Sequence, residues 1–177
     1  MATRINIENK SFQKKLDANE ISKAVTSMAQ QISNDIKDKN PLFVVVLNGS
    51  FMFAADLIRR FDFPLDLTFI KVKSYIGLQS TSVNWELKSD RSFKNRLVIV
   101  LEDIVDTGST IKSVHSEIMN AGALECKVAT LFFKPQVYRE TIKISYAGII
   151  LPSAFVVGYG LDYNGKGRNL PALYELE

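Results

Sequence analysis

This chain predicts an α/β fold with a mainly parallel central sheet flanked by helices, on three observations. Short apolar runs of strand length alternate with segments whose apolar residues recur at helical spacing. The runs are apolar at nearly every position, as in strands buried on both faces. The length of 177 residues suits one domain with a substantial core. No internal repeat, low-complexity tract or linker interrupts it, so a single domain over residues 1–177 is expected.

The elements follow in order. Asp17 and Glu20 have capping-box spacing. After them Ile21, Ala24, Val25, Met28, Ile32 and Ile36 mark one face of a helix. Pro41 follows, and Leu42–Leu47 reads as a buried parallel strand. Ser50 is placed to cap a second helix with an inner face of Phe51, Ala54, Ala55 and Ile58. Residues 65–72, 97–101 and 128–133 read as further strands, and 155–158 as a shorter one. Strands alternating with helices imply a mainly parallel sheet with helices on both faces. The polar segment 74–95, rich in Ser and Thr, breaks the rhythm. Long irregular connections are commonly lids or linkers. Alternation of Val83, Trp85 and Leu87 predicts a β-ribbon within it.

Composition excludes several classes. Apolar content of 46% and charged content of 23% are ordinary for a globular protein. A net charge of +3 gives no argument for nucleic acid. The single cysteine, Cys126, cannot form an internal disulfide and lies in a strand-like run, where an inert buried thiol is expected. Met1-Ala2-Thr3-Arg4-Ile5-Asn6 has no apolar signal core, and no apolar run is long enough for a bilayer. The expectation is a cytoplasmic protein without nucleic-acid or membrane partners. His115, the only histidine, reads as structural, since no nucleophile pairs with it in sequence.

The chemistry concentrates in one stretch. The apolar run Val98-Ile99-Val100-Leu101 ends in Glu102-Asp103, followed by Ile104-Val105-Asp106-Thr107-Gly108-Ser109-Thr110. Beyond it Ile111, Val114, Ile118 and Met119 recur at helical spacing. The order is strand, acidic loop, helix, and such junctions are where open α/β sheets bind ligands. A helix starting near Ser109 or Thr110 presents unpaired N–H groups and a positive dipole end to an anion, phosphate being the usual guest. Gly108 allows close backbone approach, and Thr107, Ser109 and Thr110 add hydroxyls. Glu102 and Asp103 would repel a bare phosphate. Either they accept hydrogen bonds from neutral hydroxyls, such as those of a ribose, or they hold a Mg²⁺ that neutralises a second phosphate group.

This run resembles, at every position, the phosphoribosyl-diphosphate (PRPP) motif of the type I phosphoribosyltransferases. An aspartate at position 106 is a feature of the six-oxopurine members. Residues 41–170 resemble the hypoxanthine phosphoribosyltransferase family through Leu47-Asn48-Gly49-Ser50, Ser74-Tyr75, Lys134, Phe155-Val156-Val157-Gly158-Tyr159, Asp162-Tyr163 and Arg168. The resemblance implies the type I fold, with a small hood region and a mobile active-site loop that has Ser74 and Tyr75 at its base. It implies a homodimer or homotetramer that uses Mg²⁺ and moves the phosphoribosyl group of PRPP to N9 of hypoxanthine or guanine, releasing pyrophosphate.

On that resemblance the site residues take roles. Glu102 and Asp103 serve the ribose hydroxyls and Mg²⁺. Backbone N–H groups from Asp106 to Thr110 cradle the 5′-phosphate with Thr107, Gly108, Ser109 and Thr110. Asp106 is the general acid/base at purine N7. Lys134 donates to purine O6, which selects a carbonyl over an amino group. Phe155 stacks on the ring and Val156 bonds its edge through backbone. Asp162 lies at the purine site and helps to hold a second Mg²⁺, and Arg168 contacts pyrophosphate. Asn48 and Gly49 form the pyrophosphate loop, where relatives usually carry a basic residue in place of Asn48 and where a non-proline cis peptide can occur. Taken singly, Lys134, Phe155, Asp162 and Arg168 would be ordinary turn, core and surface residues.

Three rivals are weaker. A non-catalytic, nucleotide-sensing regulator on the same fold would not need Asp106, Lys134 and Asp162 together, and the charge gives RNA little hold. In a phosphoacceptor domain the acidic pair comes early and an acceptor aspartate ends a later strand; here the pair lies past the midpoint. The GxxxxGK[ST] loop of P-loop NTPases is absent.

Overall fold

A computed structural model describes residues 2–36, 39–74 and 83–177, with the side chains of Lys73, Ser74, Val83 and Asn84 left aside. Tyr75 and the tip of the expected lid, residues 75–82, lie outside the described residues. The elements run β1 (Arg4–Ile7), β2 (Lys10–Leu16), α1 (Ala18–Ile36), β3 (Leu42–Leu47), α2 (Phe51–Ile58), β4 (Asp66–Ser74), β5 (Val83–Leu87) and β6 (Leu97–Val105). Then come α3 (Ser109–Asn120), β7 (Glu125–Phe133), β8 (Tyr146–Ile150), β9 (Val156–Val157) and β10 (Leu173–Leu176).

Two sheets result. The larger has the order β5-β4-β3-β6-β7-β8 and is parallel except for β5, which pairs antiparallel with β4 as the expected ribbon. Its central strands β3 and β6 are apolar on both faces because both are covered. Phe43, Val45, Ile99 and Leu101 meet Ile21, Val25 and Met28 of α1 and Phe53 and Leu57 of α2. Leu42, Val44, Val98 and Val100 face the other way, onto Ile111, Val114 and Ile118 of α3. Asp17 starts α1 as its spacing predicts: its Oδ1 accepts the Glu20 N–H at 2.9 Å, and Glu20 reaches back to the Asp17 N–H at 2.8 Å.

The smaller sheet, β1-β2-β10-β9, is antiparallel and forms the hood. Its core is Ile7, Phe12, Val157, Ala172 and Tyr174. The short strand expected at 155–158 is confined to Val156–Val157 and joins this hood, not the parallel sheet, because its register partners are Glu175 and Tyr174.

Three local expectations are corrected. The strand expected at 97–101 continues to Val105, since Glu102, Ile104 and Val105 still pair with Thr130, Phe132 and Phe133 of β7. The two acids therefore sit in the strand and not in a loop. Ser50 makes no side-chain cap; its hydroxyl donates back to the Val46 carbonyl. The buried face of α2 is Phe53, Ala54 and Leu57, which pack into the main core, whereas Phe51 and Ala55 are exposed.

Candidate active site

The C-terminal ends of β3 and β6 place the acids. Glu102 and Asp103 are 7% and 8% exposed, too buried for free carboxylates without a reason. Burial pushes the Glu102 carboxyl well above the usual carboxylate range, and the neighbouring Asp103 charge adds to this. Asp103 is also raised by burial, with partial relief from nearby donors. Among these its Oδ1 accepts the Ile104 N–H at 2.7 Å. Oε2 of Glu102 is buried without a partner. Two adjacent buried carboxylates with one unused oxygen fit a hydroxyl pair or a divalent cation. Among the described residues no cluster of three acidic, histidine or cysteine ligands exists. A Mg²⁺ here would draw its remaining oxygens from substrate and water, as that ion commonly does.

Beyond Val105 the chain turns through Gly108, at φ 94° in the left-handed region, into α3. The helix start has no side-chain cap, so its first N–H groups stay available. They line a cavity of about 80 Å³ with Glu102, Asp106, Thr107, Ser109 and Thr110 at its wall. The cradle has a backing that sequence reading missed. A Cβ on Gly108 would lie 2.4 Å from the Tyr138 ring and 2.9 Å from Glu140. The Arg139 N–H donates to the Thr107 carbonyl at 3.1 Å, and Glu140 pairs with Lys112 at 3.1 Å. Residues 134–140 have no periodicity, so nothing local announces this support.

The same segment starts with Lys134. Its side chain is 7% exposed, and Nζ lies 3.3 Å from Oδ2 of Asp106, which is half exposed. The Lys134 N–H donates to the Val105 carbonyl at 3.0 Å. An ammonium and a carboxylate are thus presented side by side at the edge of the cradle.

Phe155 is 47% exposed, with Phe12 and Tyr163 at 6.4 and 6.0 Å between ring centroids. Its carbonyl accepts the Leu176 N–H at 2.9 Å. Hydrogen-bonded and non-bonded pairs alternate in an antiparallel ladder, so the N–H and C=O of the next residue, Val156, point away from β10. As β9 is the sheet edge, they face outward unpaired by strand.

At the other end, the Leu47–Asn48 peptide is cis, as the resemblance implies. Asn48 is exposed. Gly49 lies so close to Asp103 that a Cβ would fall 1.5 Å from Oδ2. Arg168 donates through Nη1 to the Gly160 carbonyl at 2.7 Å and pairs through Nη2 with Asp162 at 2.6 Å. Asp162 also accepts the Gly165 N–H at 2.7 Å. Ser74 ends β4 opposite Val83, next to the undescribed tip. His115 is half-buried on α3, and burial lowers its pKa. Cys126 is half-buried, and burial pushes its thiol up to about 12, which makes it a reluctant nucleophile. A roomier cavity of about 460 Å³ opens at the opposite ends of the strands, between α1 and Asp62-Phe63-Pro64-Leu65. Its described lining has one carboxylate and no cation, so the chemistry belongs to the cradle.

A family model described as the phosphoribosyl transferase domain matches residues 13–164. The hypoxanthine-guanine phosphoribosyltransferase of Streptococcus pneumoniae is 38% identical over 154 residues, 86% of each chain. That of Staphylococcus epidermidis is 37% identical over 164 residues, 92% of each. The crystal structure of a hypoxanthine phosphoribosyltransferase from Staphylococcus aureus superposes with a TM-score of 0.89 at 34% identity, covering 93% of this chain and 91% of the other. No helix among the described residues is long and apolar enough to cross a membrane.

Proposed function

We infer that this chain, which belongs to the phosphoribosyltransferase family, is a purine salvage enzyme. It transfers the phosphoribosyl group of PRPP to N9 of hypoxanthine, and of guanine, giving IMP or GMP and pyrophosphate. The observation that carries this reading is the Lys134–Asp106 pair, 3.3 Å apart beside the phosphate cradle. A lysine ammonium only donates, so it suits the O6 carbonyl of a six-oxopurine and not the amino group of adenine. Asp106, half exposed next to it, can exchange a proton at purine N7 as general acid/base.

The remaining residues divide along the substrate. The N–H groups at the start of α3, with Thr107, Ser109 and Thr110, hold the 5′-phosphate. Glu102 and Asp103 orient the ribose hydroxyls and would hold Mg²⁺, with Asp162 at a second ion. Bound there, Mg²⁺ would supply positive charge to the departing pyrophosphate. Arg168, Asn48 and Gly49 address the pyrophosphate. Phe155 stacks on the purine, its edge is read by the outward backbone of Val156, and Asp162 stands nearby. Ser74 and Tyr75 form the base of a lid over the site. Holding base and sugar in line while charge builds on the leaving group is the main catalytic demand. We assign the chain one domain, Mg²⁺ as cofactor, and a homodimeric or homotetrameric assembly in the cytoplasm.

The test is product formation with Mg²⁺ and PRPP. Hypoxanthine should give IMP and pyrophosphate, and adenine should be inert. AMP from adenine with no IMP from hypoxanthine would sink the assignment.

A further inference from the structure

We infer that Tyr159 is a positioning residue: its hydroxyl ties the hood turn that places Arg168 and Asp162 to helix α2, and so sets the pyrophosphate end of the site against the Asn48-Gly49 loop. The inference rests on the functional reading above and adds to it a residue outside the substrate contacts.

Tyr159 is 5% exposed, and its hydroxyl donates to Oδ2 of Asp56 on α2 at 2.5 Å. Among the described residues this is the one side-chain hydrogen bond that joins the hood to the six-stranded layer and its helices. Burial, with the Asp56 carboxylate beside it, pushes the phenol far above its ordinary pKa, so the donor keeps its proton through the neutral range.

The turn that Tyr159 anchors is unusual. Gly158, Tyr159 and Gly160 all have positive φ, 101°, 50° and 98°. Such a backbone is uncommon for a bulky residue and persists where its surroundings impose it. Here the Tyr159 N–H is held by the Leu170 carbonyl at 2.7 Å. Gly160 then touches both sides of the site. A Cβ on it would lie 2.0 Å from the Gly49 carbonyl oxygen, so the hood turn and the pyrophosphate loop meet backbone to backbone. Its own carbonyl and N–H bond the Arg168 side chain and carbonyl at 2.7 and 2.9 Å. Arg168 in turn holds Asp162 at 2.6 Å. The order of contact is α2, Tyr159, Gly160, Arg168, Asp162. Asp56 belongs to the helix that directly follows Asn48-Gly49-Ser50. Loop and hood turn are therefore registered to one rigid element.

The experiment compares Tyr159→Phe, Asp56→Ala and Asp56→Asn with the unchanged chain. The readouts are KM for PRPP and for hypoxanthine, kcat, Mg-PRPP affinity by calorimetry, and Tm. Tyr159→Phe keeps the buried ring and loses only the hydroxyl. It should raise KM and Kd for PRPP about tenfold, the scale of one lost bond to a charged group, with KM for hypoxanthine changed by less than about twofold. Asp56→Ala should repeat that pattern. Asp56→Asn keeps an oxygen that accepts the phenol and should return PRPP affinity toward the unchanged chain. The role is overturned if Tyr159→Phe and Asp56→Ala lower Tm and leave PRPP affinity untouched, or if both substrates weaken equally. An unchanged chain that makes no IMP fails the functional reading itself. An active one with unaffected variants fails only the positioning role.

Discussion

The six-stranded layer and the hood contribute to one site in opposite ways. In the layer the proposed functional groups are close in sequence: Glu102, Asp103, Asp106 and the cradle residues occupy one strand end and the helix start after it. Its strand, β6, is paired with β3 as far as Leu101 and with β7 through Val105. In the hood, β2 near the start of the chain pairs with β10 at its end over a small core of five buried residues, and Val156, Leu161 and Leu173 on its inner side join the main core. A local motif on a thick core resists disturbance. A platform assembled from distant segments is thin and depends on each member. Substitutions should therefore separate chemistry in the layer from placement in the hood.

The largest expected effect tests the layer. Asp106→Asn should lower kcat roughly 10²–10⁴-fold, the usual range for a lost general acid/base, while Tm and PRPP affinity change little. If kcat holds and only KM for PRPP rises, Asp106 is a binding residue and the division fails. The hood counterpart is Phe12→Ala. Phe12 is fully buried and backs Phe155, so its loss should cost about 3–5 kcal/mol in denaturant unfolding. KM for hypoxanthine should rise more than KM for PRPP, because Phe155, the proposed stacking ring, loses its support. Equal rises would show that the hood serves both substrates alike.

A third measurement asks whether the layer is itself compromised for function. The folded-state pKa of Glu102 lies above its unfolded value, so the fold binds its proton more tightly. The stability cost is absent well below the unfolded value of about 4.3 and grows as pH rises above it toward the folded value. Glu102→Gln should then leave Tm unchanged at low pH and raise it near pH 7.5, by about 2–4 °C for each kcal/mol relieved, while PRPP turnover falls. A Tm gap that does not open with pH would mean that the carboxylate is not strained by burial. The smallest effect is expected at Asn48. It is exposed, so Asn48→Lys should strengthen PRPP binding by well under 1 kcal/mol, and less at high salt. No change in affinity at either of two salt concentrations would leave that loop acting through its backbone alone.

Legibility in the sequence follows the same division. The stretch from Val98 to Met119 carries an apolar strand run, acids, glycine, hydroxyls and helix period one after another, so its chemistry follows from local pattern alone. Lys134, Phe155, Asp162 and Arg168 had no such local signal and were reached only through the family resemblance. Tyr138 and Glu140 behind Gly108, and Tyr159 on Asp56, were not reached at all. Each acts through a partner far along the chain, and a tyrosine between two glycines says nothing of what its hydroxyl meets.

By itself the sequence determined the α/β class, the parallel strands, the first and third helices and the strand-to-helix junction of the proposed cradle, because these depend on periodicity and on residue types within one or two turns of chain. Only the tertiary structure decided that the acids lie inside β6, that α2 turns Phe53 and Leu57 inward, and that β9 belongs to the hood. It also decided that Lys134 meets Asp106, 28 residues away. The reason is physical. Local pattern sets which face of an element is apolar. Where a strand stops, how a helix is rotated and which charges meet are set by hydrogen-bond register and packing between segments that the chain order leaves apart.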